Sequence, residues 1–484
     1  MHGVSALGTL PRALLFGIVP LTMVLGSCNI TPSLTIYGIF PTKIPLSVRD
    51  STDITIEAAT IPGQTIRYHA VARRGRVIQL NDTSKTFRYY APYTSRAPDA
   101  AGNIVIGDKI EIRISDGFRT IDQSYPITLA GNSLVFKAEG GTGCSNTAGT
   151  DCNGPLMVAT VDETGLAIRD IKPLADDEEK PLVGTQPVIS PDGRRIAYVY
   201  YPGNGTSAIY TIDASAQVRN LTGSQLGSGF QVDPSWSPMG NELVFASDRG
   251  GNFDIYRSSA EQQGAVAWQI TRNPVDERYP SWNPNPQKAD SIAVSAHANS
   301  LRELGTVQAG AAWNVFLLDI QSGVYTKQLS MLSQRGPYGP DFALEPRWRQ
   351  DGLTLAYTQR GPINNNISNA ARFQRIIVQD TNTNPGGGVP LNPTEQGGPQ
   401  VGESNPAWNP QGTEIAYLRL ITDENGNPTS SQLWKGSATT TRNNGQPAFG
   451  SYGPRNWELG NAIPALHLVS TSANPVGGWS LDWR

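Results

Sequence analysis

Catalysis and ligand capture need acids, bases, nucleophiles or metal ligands at workable spacing. This 484-residue chain offers few such groupings. His69, His297 and His467 are far apart in sequence, and His69 lies in an alternating stretch, QTIRYHAVA, where it reads as structural. No G-x-S-x-G nucleophile elbow occurs. The acidic run DDEEK (176–180) reads as a solvated connector. DENGN (423–427) lacks the spacing of a calcium loop and reads as a turn. SDRGGNFD (247–254) reads as a turn that holds its own loop. These residues predict no catalytic set, no metal site and no cofactor. Cys144 and Cys152 stand in the polar stretch GGTGCSNTAGTDCNG, a spacing suited to a disulfide in an exported chain. A zinc pair there would need two further ligands, and no histidine is near. Asp233, Arg278, Glu345 and Arg347 stand beside a recurring Pro-x-Trp triplet and are the candidate binding residues.

The front of the chain qualifies the cysteine reading. After MHGVSALGTLPR comes a 13-residue apolar run, Ala13 to Leu25, broken by Pro20 and too short to span a bilayer as a helix. Then comes LGSC, Leu25 to Cys28. This resembles the lipobox of bacterial lipoproteins: Leu, two small residues, Cys. The resemblance implies cleavage of residues 1–27 and lipidation at Cys28; an ordinary secretory signal is the other reading. Asn29 follows instead of Asp, which in diderm lipoproteins implies no retention at the inner membrane.

The elements that carry the charged candidates form a repeat. QPVISPDG, DPSWSPMG, YPSWNPNP, EPRWRQDG and NPAWNPQG share Pro, one residue, a large apolar residue and a turn. The large residues are Ile189, Trp236, Trp282, Trp348 and Trp408. An apolar strand follows each anchor (RRIAYVY, NELVFAS, DSIAVSA, LTLAYTQ, TEIAYLR), and after a variable loop comes another (SAIYTID, FDIYRSS, WNVFLLD, QRIIVQD, SQLWKGS). Short outer strands close the units: VRNLT, WQIT, TKQLS, GVPLN and LHLVS. Four strands per unit is a propeller blade. A proline is tolerated in an edge strand, the Pro/Gly turns are tight, and a flat indole suits the wedge between sheets. SWSPMGNELVFASDRGGNFDIYRSS, RYPSW, EPRW and NPAW resemble the TolB-type propeller repeat over roughly residues 133 to 484.

An incomplete unit precedes the first anchor: SLVFKAE, PLMVATVDETG and LAIRDIK supply its second to fourth strands. Its inner strand is absent there, and SLDWR at the chain's end is the candidate to fill it. Six blades are therefore expected, the first closed by both ends of the domain, with Trp483 in the anchor position. Leu481 stands where the other anchors have proline.

Residues 28–132 lack the repeat. ITIEAA, QTIRYHAVA, KTFRYYAP, DKIEIRISDG and SYPITLAG alternate with period two, which predicts a β-sandwich. GDKIEIRISDGFRTIDQSYPITL resembles the last hairpin of cadherin- or immunoglobulin-like bacterial modules. TolB has a mixed α/β front domain, so the resemblance to TolB stops at the propeller.

The chain is thus expected to be all-β: residues 1–27 signal, 28–132 sandwich, 133–484 propeller. Formal net charge is -3 with no basic stripe, which argues against nucleic acid. Longer insertions gather on the face where each inner strand begins, with one long insertion (436–464) on the other; loops grouped on one scaffold face suit binding. The expectation is a lipid-anchored, non-enzymatic binding or scaffold protein that meets an envelope protein or peptidoglycan-associated partner and the membrane only through its lipid. It would lie on the periplasmic side of the outer membrane in a diderm, or on the cell surface in a monoderm. The alternative is a carbohydrate-binding or glycan-acting propeller enzyme of the envelope.

Overall fold

The computed structural model describes residues 33–484 apart from 43–44, 139–152, 163–167, 204, 224–228, 308–310, 334, 337–338, 362–373, 392–400, 423–427, 439, 444–445, 450–454 and 457–480. The described residues are strands and turns, with two short 3-10 helices at Pro286–Lys288 and Leu301–Gly305.

Residues 33–130 form two four-stranded sheets. One contains Thr35–Phe40, Ser51–Ala59, Thr86–Tyr90 and Arg76–Gln79, and the other Pro45–Ser47, Thr120–Ala130, Asp108–Ser115 and Arg67–Ala72. Period-two patterning puts Ile54, Ile56, Phe87 and Tyr89 of the first sheet against Tyr68, Ile110, Ile112 and Ile114 of the second. His69 falls on the exposed side of its strand.

Six four-stranded blades follow. Blades 2 to 6 begin with the inner strands Val183–Ile189, Gln231–Trp236, Glu277–Trp282, Phe342–Trp348 and Val401–Trp408. In blade 1, Asn132–Lys137, Gly154–Val161 and Ile168–Pro173 are joined by the last strand, Leu481–Trp483. Leu481, Asp482 and Trp483 pair antiparallel with Phe136, Val135 and Leu134. The ends also exchange Ser133 N–H to Arg484 O (2.6 Å) and Arg484 N–H to Ser133 O (2.9 Å). Trp483 is buried with Leu134 and Phe136 of blade 1 and Leu418 and Leu433 of blade 6, so it wedges the ring shut.

The residue before every Pro-x-anchor triplet has the same unusual backbone. Gln186, Asp233, Tyr279, Glu345 and Asn405, each just before its proline, have φ between 51 and 58°. Each falls at a break in register with the second strand. The break is a β-bulge, which takes up the proline's missing N–H. The fourth strand of blade 6 departs from expectation: Arg455–Asn456 pairs with Trp434–Lys435, whereas the expected LHLVS lies outside the described residues.

The sandwich docks on the face of the ring where inner strands end in short turns. Tyr93 N–H donates to Gly193 O (2.7 Å), and Tyr93 Oη to Asp213 O (3.0 Å). Arg76 pairs with Asp213, and Arg49 Nη2 donates to Thr160 Oγ1 (2.6 Å). The hairpin of Arg96–Pro98 and Ile104–Ile106 reaches on to blade 4, where Gln287 Nε2 donates to Ala101 O (3.2 Å). Gly193 has φ 71°, and a Cβ there would sit 2.5 Å from Thr94 Cγ2, so the PDG turn needs glycine for its backbone and for the docked domain.

Candidate functional site

The five bulges set five chain positions around the channel, on the long-loop side of the anchors, and each carries one of the positive-φ residues. Their side chains knit one blade to the next. Asp233 N–H donates to Gln186 Oε1 (2.7 Å), Tyr279 N–H to Asp233 Oδ2 (3.1 Å), and Asn405 N–H to Glu345 Oε2 (2.9 Å). Each side chain thus accepts from the equivalent backbone position one blade on. The indoles repeat the tie deeper in the channel: Trp236, Trp348 and Trp408 Nε1 donate to Val188 O, Ser281 O and Arg347 O of the preceding blade, at 2.9–3.0 Å. Trp282 instead donates to Ala289 O of its own turn (2.6 Å).

Asp233 and Arg278 meet directly. Arg278 Nε lies 2.6 Å from Asp233 Oδ2 and Nη2 lies 3.3 Å from Oδ1. The guanidinium stacks between Phe253 and Tyr279, 4.5 and 5.0 Å from their ring centres. Burial alone would lower its pKa, but Asp233 and the neighbouring phenols outweigh burial and raise it. Glu345 accepts from Thr358 Oγ1 (2.9 Å) and from both Asn405 donors. Burial pushes its carboxyl pKa up, against those hydrogen bonds and the charge of Arg347.

Arg347 stands apart from the other three. It lines a channel cavity walled by one anchor from every blade: Trp483, Ile189, Trp236, Trp282, Trp348 and Trp408. Gln350, Asn409, Asp482 and Arg484 add polar groups. Asp482 Oδ2 accepts from Ile189 N–H (2.7 Å), whereas the Arg347 guanidinium has no hydrogen bond among the described residues. Of the four candidates, Asp233, Arg278 and Glu345 sit in the knitted ring, and Arg347 lines the channel cavity at the end where the inner strands run into their short turns. Gln186, Tyr279 and Asn405 escaped the candidate set, although their place before proline in the anchors is the signal that marks them.

The other candidate chemistries resolve locally. Asp248 accepts from Phe230 N–H (2.6 Å), and Asn252 donates to Asn273 O and Val275 O, so SDRGGNFD holds its loop. Asp176 caps its own turn through Glu178 and Lys180 N–H. His297 bonds Ala311 O (2.8 Å) and stacks on Trp313. Among the described residues no group of three His, Cys, Asp or Glu is placed to hold a metal. Cys28, Cys144, Cys152, His467 and residues 423–427 lie outside the described residues.

Residues 170–385 match the family model of the TolB β-propeller domain. The chain carries a TolB-like propeller. An uncharacterized peptidase of Bacillus subtilis, YuxL, is 35% identical over 125 residues, 25% of this chain and 18% of that protein. The chain therefore spans less than a fifth of that relative. The uncharacterized protein Atu1656 of Agrobacterium fabrum is 25% identical over 248 residues, 49% of this chain and 78% of its own. Among solved structures, TolB of Acinetobacter baumannii superposes with a TM-score of 0.42 at 16% identity, covering 77% of each chain. An oligogalacturonate lyase of Vibrio parahaemolyticus gives 0.35 at 11%, covering 63% of this chain and 71% of that one. The TolB-like match starts inside blade 1, so the sandwich lies outside it.

Proposed function

We propose that this is a lipid-anchored, extracytoplasmic binding protein that receives an envelope protein or peptidoglycan-associated partner at the long-loop end of its propeller. The observation that carries this reading is the docking of the sandwich. It occupies the short-turn face through Gly193, Asp213 and Gln287, so the opposite face is the one presented.

A photo-cross-linking side chain at Arg302, on the long-loop face, should capture a partner in intact envelopes, and the same group at Arg194, beside the docked sandwich, should not. Equal capture from both positions would sink the assignment of the face. Cys28→Ala should release the protein from membranes; unchanged retention would count against lipidation. A second reading rests on the indole-walled cavity with Arg347 and Arg484, which suits a saccharide bearing a carboxylate. Glycan rather than protein on the cross-linked product would favour it.

A further inference from the structure

Single exposed apolar side chains are ordinary on protein surfaces. Their placement here is unusual. Among the described residues the three most exposed large apolar side chains are Leu80 at 88%, Phe118 at 83% and Tyr37 at 73%. All three belong to the sandwich.

Strand register puts them toward one end. Thr35 pairs with Ala59, while Arg67 and Thr120 both pair with Ser115. The loop bearing Leu80 is tied to that end, because Tyr68 N–H donates to Asp82 O and Arg67 pairs with Asp82. The first described strand, the Leu80 loop and the Phe118 turn therefore share an end. The opposite end, with Arg74, Tyr93 and Asp108, docks on blade 2.

The Phe118 turn is stiff. Asp116 Oδ1 accepts from Phe118 N–H (3.0 Å) and Arg119 N–H (2.8 Å), and Oδ2 accepts from Thr60 Oγ1 (2.6 Å). Phe118 is therefore held out in water rather than left to fold back. Beside it Arg119 is exposed, and its guanidinium has no hydrogen-bond or ion-pair partner among the described residues. An aromatic tip next to a cation matches the boundary of a bilayer, where the ring lies among the upper acyl chains and the guanidinium meets lipid phosphate.

Chain length selects the occupant. Cys28 and Ser33 are five residue steps apart, which span at most about 18 Å fully extended. A lipid on Cys28 would keep the start of the sandwich within that reach of the bilayer. We infer that the Leu80–Phe118 end is seated in the headgroup layer of the membrane that anchors Cys28. This rests on the lipid-anchor reading. It sets the propeller upright with its long-loop face turned away from the membrane.

The test uses the full lipidated protein reconstituted in phosphatidylethanolamine–phosphatidylglycerol vesicles. Flotation reports the anchor, and brominated lipids report depth. The indole added by Phe118→Trp should emit further to the blue than in detergent-free solution, and its added intensity should fall roughly twofold with brominated lipid. Leu80→Trp should behave alike. Val266→Trp, on the rim of blade 3, should add an unquenched signal; that site is 68% exposed. Protein that floats with no quenching at 80 and 118, or with equal quenching at 266, overturns the seated end and leaves the anchor standing. Protein that fails to float overturns both.

Discussion

At the scale of single residues, a buried charge is safe only with its partner. Asp233 side-chain exposure is 2% and that of Arg278 is 10%, so removing one leaves the other with nothing to replace water. Asp233→Ala should destabilise the propeller by about 3–5 kcal/mol, while the paired change Asp233→Asn with Arg278→Met should cost clearly less. Urea melts of the two variants check this, and equal losses would show that the pair's charge does not matter. The Asp233 position was visible in the sequence because it precedes an anchor proline. Its engagement by Gln186, Arg278 and Tyr279 was not, because that depends on the spacing between blades rather than along the chain. Glu277 was not legible at all. It lies fully buried, bonded by Asn273 Nδ2 (2.6 Å), with its other oxygen unpaired. Burial pushes its carboxyl up to about 7, against the hydrogen bond from Asn273, and burial likewise pushes Asp254 up to about 6. The folded chain thus holds these protons more tightly than the unfolded chain. Their contribution is fully present below the ordinary carboxylate range and is lost as pH rises through about 7. Glu277→Gln, which cannot ionise, should gain on the order of 1–3 kcal/mol over the native chain at about pH 8 and little at about pH 4. Thermal melts across pH would show the two curves converging in acid; parallel curves would contradict the assignment.

At the scale of elements, the inner strand governs the fold. Its Pro-x-Trp spelling exposed the repeat, because the bulge tolerates proline and the wedge between blades accepts an indole. The bulge itself was not legible: residues before proline normally avoid the helical regions of backbone space, yet five of them sit at φ 51–58°. The cross-blade bonds to their side chains and backbone N–H groups hold them there. Blade 6 shows the limit of strand spelling. LHLVS reads as an outer strand, yet Arg455–Asn456, with little apolar character, occupies the edge beside Trp434. An outermost strand buries little, so its sequence carries little signal. The tail is the opposite case. Trp483 is 2% exposed and packs against two blades, so the pattern that marked it came from burial between blades. Deleting residues 480–484 removes that wedge and the pairing to Leu134–Phe136. The loss should be on the order of 3–5 kcal/mol for the indole alone and should open blade 1 to proteolysis. An unchanged melting temperature would refute closure by the tail.

At the scale of the molecule, one buried arginine ties the corner of the sandwich to the propeller, alongside the Tyr93, Arg76, Arg49 and Gln287 contacts. Arg74 is 4% exposed and donates to Ser95 O (3.2 Å), Gly107 O (2.8 Å), Thr94 O and Arg96 O within its own domain. Its Nε donates to Asp192 O (3.1 Å) in the PDG turn of blade 2. Asp108 stiffens the same corner by accepting from Arg74 N–H (3.0 Å), Gly75 N–H (2.7 Å) and Tyr89 Oη (2.8 Å). Burial lowers the Arg74 pKa against the pull of Asp108, yet an arginine stays charged and the ring of carbonyls compensates it. In sequence, Arg73 and Arg74 are two adjacent cations in a turn, and only the fold shows that Arg74 faces inward. This joint decides how the propeller is carried, since a loose one would let either face of the ring turn toward a partner. Arg74→Ala leaves the converging carbonyls without their donor, at a cost of about 3 kcal/mol or more. The single cooperative melt expected of the native protein should then split into separate sandwich and propeller transitions, and protease should cut near residues 130–132 first. A variant that still melts in one transition at the native temperature would show that the joint rests on the Tyr93 and Arg76 contacts instead.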